Sequence, residues 1–107
     1  MNSPDARMMM ACVCAGAFLV VAGCSSGNGG PGAALFAERC APCHGTAGKG
    51  VTGSAAPPLN RSTFIYGRSR EAITASIRDG RPREMPAYGG FYTPRQIDDL
   101  VAYILSL

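Results

Sequence analysis

Three apolar patterns divide the chain. Met8 to Ala22 is a run without a single charged residue. At the other end Ile97, Leu100, Val101, Ile104 and Leu105 repeat at i, i+3, i+4, i+7 and i+8, the stripe of an amphipathic helix. Thr93-Pro94-Arg95-Gln96 opens that helix with an N-cap, a proline at the first helical position and a capping-box glutamine. Between the two ends the apolar residues come in short clusters. One, from about Arg70 to Asp79, pairs Ile73 with Ile77 behind a Ser69 N-cap and stops at Gly80, which predicts a second helix. Another, Gly32 to about Cys40, places Phe36 and Cys40 on one helical face. The stretches from about Gly45 to Arg68 and from Arg81 to Tyr92 are Gly- and Pro-rich loops, and no segment alternates as a strand. The pattern therefore predicts an all-α domain of three main helices and long loops.

The first run has its own meaning. Preceded by Arg7, it has the length of a signal-peptide core and falls short of the ~20 residues that span a bilayer. It ends in Val21-Ala22-Gly23-Cys24, which resembles the lipobox of bacterial lipoproteins. That resemblance implies cleavage before Cys24 and a lipid on Cys24. An uncleaved anchor and ordinary cleavage near Ala22 fit the same run. All three readings take the domain out of the cytoplasm, to the periplasmic side. Ser25 stands where an Asp would mark inner-membrane retention in enteric-type bacteria, so the sorting leans toward the outer membrane. Ser25 to Pro31 reads as a flexible tether, with a typical span of roughly 15 Å. The expected organisation is thus a signal peptide over 1–23, a lipidated cysteine and tether over 24–31, and one domain over 32–107.

Charge narrows the partners. The 107 residues carry 10 basic and 7 acidic side chains; removing Arg7 and Asp5 with the signal leaves 9 and 6, still +3. That balance is too weak and too scattered for nucleic acid. It suits a mildly basic face that meets an acidic protein.

The cysteines carry the chemistry. On the lipobox resemblance Cys12 and Cys14 leave with the signal, and Cys24 carries the lipid. Cys40-Ala41-Pro42-Cys43-His44 remains, and Cys-x-x-Cys-His is the attachment signature of c-type haem. The two thiols add to the vinyl groups of the porphyrin as thioethers, and His44 lies under the iron as an axial ligand. A redox-active Cys-x-x-Cys would want a βαβ context, and a zinc site four ligands. After the signal is removed the chain holds one histidine, His44, and one methionine, Met85. Two histidine ligands from this chain are therefore excluded. Met85 lies in the loop Arg83-Glu84-Met85-Pro86-Ala87, an odd place for a core filler and a sensible one for a soft, neutral axial ligand. A single large cofactor also explains how so small a domain stabilises such long loops.

From Gly32 to Leu107 the chain resembles a class I c-type cytochrome. Gly32, Phe36 and Cys40 keep that family's Gly-x-x-x-Phe-x-x-x-Cys spacing, and Leu100-Val101-Ala102-Tyr103 supplies the aromatic of the partner helix. The resemblance implies the small cytochrome c fold, its loops wrapped around one covalent haem c. It further implies that a proline carbonyl in Ala56-Pro57-Pro58-Leu59 accepts a hydrogen bond from His44 Nδ1. Pro57 is the nearer counterpart, with Pro58 the alternative; Ala56 stands where the family often has glycine. Arg81 and Arg83 flank Met85 and suit haem propionates, an acidic partner or plain solvent. Tyr66, Tyr88 and Tyr92 are candidates for lining the pocket.

The function so implied is one-electron transfer between membrane-associated redox partners such as a dehydrogenase, an oxidase or another cytochrome. Such a protein is an electron carrier rather than an enzyme. The alternatives are a haem-based sensor or weak peroxidase with a labile Met85, and a fixed haem subunit of a larger oxidoreductase complex.

Overall fold

The computed structural model describes residues 29–107. The expected signal peptide, Cys24 and most of the tether lie outside the described residues. Three helices carry the domain. The first, α1, is α-helical over Gly30–Leu35, widens to a π-helical turn over Phe36–Cys40, and returns to α-helix over Ala41–His44. It begins two residues before the expected Gly32. Pro31 favours this, because its missing N–H costs nothing in a first turn. The other two are α2, Arg70–Asp79, and α3, Pro94–Leu105.

Local signals account for α2 and α3. Ser69 Oγ accepts from the Ala72 N–H at 3.0 Å. In α3 the capping box closes in both directions: Thr93 Oγ1 accepts from the Gln96 N–H at 3.1 Å, and Gln96 Oε1 from the Thr93 N–H at 2.9 Å. Gly80 ends α2 at φ 71°, where a Cβ would press on the Met85 carbonyl oxygen and the Ala87 nitrogen, both at 2.7 Å. Glycine at this position lets the loop after α2 fold back over the helix end.

The helices meet around one apolar centre. Gly32 lets α1 cross α3 closely, since a Cβ there would run into the Asp99 carbonyl oxygen. Phe36 fills the crossing with its ring 5.1 Å from that of Tyr103, and Leu100 and Val101 are wholly enclosed. Ile73 and Ile77 of α2 complete the core with Ile97 and Ile104. Among the described residues there is no strand beyond one isolated bridge between Arg81 and Met85, and no helix long and apolar enough to cross a membrane.

Candidate cofactor site

A cavity of about 430 Å³ opens between the end of α1, α2 and the two long loops. Cys40, Cys43, His44 and Met85 all line it, together with Pro57 and Pro58. The apolar wall comes from Leu59, Phe64, Ile73, Ile77 and Ile104, and Tyr66 and Tyr88 also face in. Tyr92 does not. It is buried behind Tyr88, with ring centroids 5.8 Å apart, and its hydroxyl has no partner.

The end of α1 is held by the loop after it. The Gly50 N–H donates to the His44 carbonyl at 2.7 Å, and the Leu59 N–H to the Gly48 carbonyl at 2.7 Å. Ser54 acts at both ends of this return: its hydroxyl donates to the Cys43 carbonyl at 2.9 Å and accepts from the Ala56 N–H at 3.1 Å. The next residue along is Pro57, whose carbonyl lies 2.8 Å from His44 Nδ1. A carbonyl only accepts, so Nδ1 carries the proton and Nε2 keeps a free lone pair. The imidazole is thereby oriented for a metal at Nε2. Sequence reasoning missed Ser54; its only local signal was a serine two residues ahead of the Ala56 amide, the spacing of a side-chain turn.

Met85 is held from the other side of the chain. The Arg81 N–H donates to the Met85 carbonyl and the Met85 N–H to the Arg81 carbonyl, each at 2.8 Å. Beyond it the Tyr88 and Gly89 N–H groups donate to the Ile77 and Arg78 carbonyls at the end of α2, at 2.8 and 3.0 Å. These bonds satisfy helix-end acceptors that otherwise need water. Arg81 and Arg83 both line the cavity, as do Arg39 and Arg61, against a single acid, Glu84. The mouth is therefore cationic.

The π-helical turn was not anticipated. The Ala41 N–H reaches back to the Phe36 carbonyl, which adds a residue to that turn and rotates the rest of the helix. Phe36 stays in the core, Cys40 is buried at the junction, and Cys43 is exposed at the cavity. Both thiols are free. Burial, with the charge of Cys43 second, pushes the Cys40 thiol up to about 11. A thiol held neutral in this way is a poor partner for disulfide exchange. Among the described residues no three His, Cys, Asp or Glu side chains cluster to hold a metal ion between them. One mostly apolar cavity thus holds two thiols, an imidazole with its outer nitrogen free and a thioether. That donor set fits a large flat group bound through carbon–sulfur bonds and an iron, and fits a bare metal ion poorly.

A helical domain with no strand among its described residues and this donor set defines a small c-type cytochrome. Comparison with known proteins agrees. The family model described as cytochrome c oxidase, cbb3-type, subunit III matches residues 27–104. The chain is 37% identical over 76 residues to the cbb3-type cytochrome c oxidase subunit FixP of Bradyrhizobium diazoefficiens, covering 71% of this chain and 26% of that protein. It is 30% identical over 87 residues to the subunit CcoP of an Azospirillum species, covering 77% and 29%. Among solved structures it resembles the c-type cytochrome KustC0563, with TM-score 0.60, 25% identity and coverage of 70% and 94%. It also resembles cytochrome c6 of the diatom Phaeodactylum tricornutum, with TM-score 0.57, 28% identity and coverage of 75% and 93%. The chain belongs to the cytochrome c oxidase, cbb3-type, subunit III family: it is an electron-carrying cytochrome with one haem c. It spans about a quarter of the length of these oxidase subunits.

Proposed function

We propose that Cys40 and Cys43 hold the haem as thioethers, that His44 and Met85 ligate its iron, and that the domain passes single electrons between redox proteins at a membrane. The observation that carries this reading is the convergence of those four side chains on one cavity, with His44 Nδ1 tied to the Pro57 carbonyl. Bound haem supplies one-electron exchange at its iron. The chain supplies the rest. The Pro57 bond keeps Nε2 free, and the thioether of Met85 favours the reduced state and raises the potential. Phe64, Ile73, Ile77 and Ile104 keep water from the apolar side. The arginines at the mouth give an acidic partner a place to dock.

In this proposal the domain is exported and tethered by lipid on Cys24, so its partners are membrane proteins: a dehydrogenase, an oxidase or another cytochrome. Kinship to cbb3 oxidase subunits favours an oxidase, reached either as a tethered carrier or as a fixed part of a complex. Labelling with a radioactive fatty acid, lost in Cys24→Ser, tests the anchor, and membrane fractionation tests the lean toward the outer membrane.

The decisive test is the visible spectrum of the haem-bearing protein beside Met85→Ala, each with and without carbon monoxide. The parent is expected to be low-spin and indifferent to carbon monoxide. Met85→Ala is expected to bind it readily and to have a lower reduction potential. A variant that keeps the parent's spectrum and potential removes Met85 from the iron.

A further inference from the structure

Arg81 is tied to the domain through both its backbone and its side chain. Its backbone exchanges two hydrogen bonds with Met85, so the two residues move together. Its guanidinium donates to Ser76 Oγ on α2, from Nη2 at 2.8 Å and from Nε at 3.3 Å. The same group lies over the Tyr66 ring, 3.9 Å from the centroid. Tyr66 in turn donates from its hydroxyl to Glu84, the neighbour of Met85, at 3.2 Å. The ion pairs among the described residues are Arg78–Asp79 and Arg95–Asp99, so no carboxylate is in ion-pair contact with Arg81.

The loop so held is not a relaxed one. Arg83, at its tip, has φ 66°, a left-handed conformation that costs a non-glycine residue free energy. Pro82 and Pro86 stiffen it without adding N–H donors. The Arg81 side chain holds residues 81–85 against α2 and the loop before it, beside the Tyr66–Glu84 bond and the Tyr88 and Gly89 N–H bonds to the end of α2.

We propose that Arg81 is a positioning residue that latches the Met85 loop shut by joining Ser76 of α2 to Tyr66 of the facing loop. The proposal rests on Met85 being an axial ligand. Its consequence is specific: breaking the latch frees Met85 from its place part of the time without removing it. An external ligand then reaches the iron more often, as expected when a held loop opens locally.

The test measures carbon monoxide association with the reduced, haem-bearing full chain. Ser76→Ala, Arg81→Gln and Arg81→Lys are compared with the parent and with Met85→Ala. Ser76→Ala is a mild change that leaves the guanidinium charge in place. Ser76→Ala and Arg81→Gln, which each remove both guanidinium bonds to Ser76 Oγ, are expected to speed association by about tenfold or more. Arg81→Lys, which keeps the charge and one donor, recovers part of the loss. Amide exchange at Arg81 and Met85 rises in step, while the amides of α3 stay as protected as in the parent. Parent-like association in both Ser76→Ala and Arg81→Gln, beside a fast Met85→Ala, overturns the latch. An effect in Arg81→Gln alone is one of charge and overturns it as well. A Met85→Ala protein with the parent's spectrum and rate instead sinks the ligand assignment, and the latch with it.

Discussion

The two sides of this domain are built on different terms. On one side α1 crosses α3, and apolar side chains find other apolar side chains: Phe36 is 1% exposed, and Leu100 and Val101 are 0%. On the other side Leu59, Phe64, Met85 and Tyr88 are only partly buried around a cavity, and Ile65 is 76% exposed. The first side is a protein core in the ordinary sense. The second consists of loops whose apolar groups face a space that the chain does not fill. Burying a Leu or Phe side chain fully contributes about 1.5–3 kcal/mol. The cavity residues gain much of that only when a cofactor covers them. The chain's own residues thus build the helix crossing, and in the proposed arrangement the haem completes the core on the loop side.

The sharpest way to break this comparison is to deny the loops their cofactor. The double variant Cys40→Ala/Cys43→Ala is expected to lose haem absorbance and its cooperative thermal transition together, with some helical circular dichroism remaining. A haem-free chain that unfolds at the parent's temperature would mean that the loops fold without help. Less drastic is Leu100→Ala in the haem-bearing protein. It opens a hole in the other side and should lower the unfolding free energy in urea by about 3 kcal/mol. Its visible spectrum should not change, because Leu100 lies at the helix crossing and does not line the cavity. A spectral change would show that the two sides are coupled more tightly than their packing implies. The smallest effect is expected of Thr93→Ala, which removes one capping bond from α3 and should cost about 1 kcal/mol by the same urea measurement.

The same division explains which elements are legible in the sequence. The bounds of α2 and α3 come from residues close together in the chain: Ser69 caps one, the Thr93–Gln96 pair the other, and Gly80 supplies the stop. The proposed haem site is equally local, since its two thiols and imidazole stand within five consecutive positions, and Met85 is proposed from a count. The π-helical turn of α1 has no signature in Phe36–Cys40, since no residue type marks the longer i→i+5 bond. The early start of α1 lies in Pro31, a residue that reads equally well as tether. The hydrogen-bonding roles of Ser54, Ser76 and Tyr66 are hidden for one shared reason. Their partners are respectively Cys43, Arg81 and Glu84, and the meaning of a polar side chain depends on which other group the fold brings to it.

Residue order alone therefore accounts for the all-α class, the helix caps of α2 and α3 and the haem attachment motif, since each depends on neighbours a few positions apart. Folding in space chose the rest. It brought the Pro57 carbonyl, rather than that of Pro58, to His44 Nδ1, put Tyr88 at the cavity and Tyr92 behind it, and tied the Met85 loop to α2 through Arg81. Those choices depend on how close the helices pack and where each loop turns back, and no short stretch of sequence encodes either.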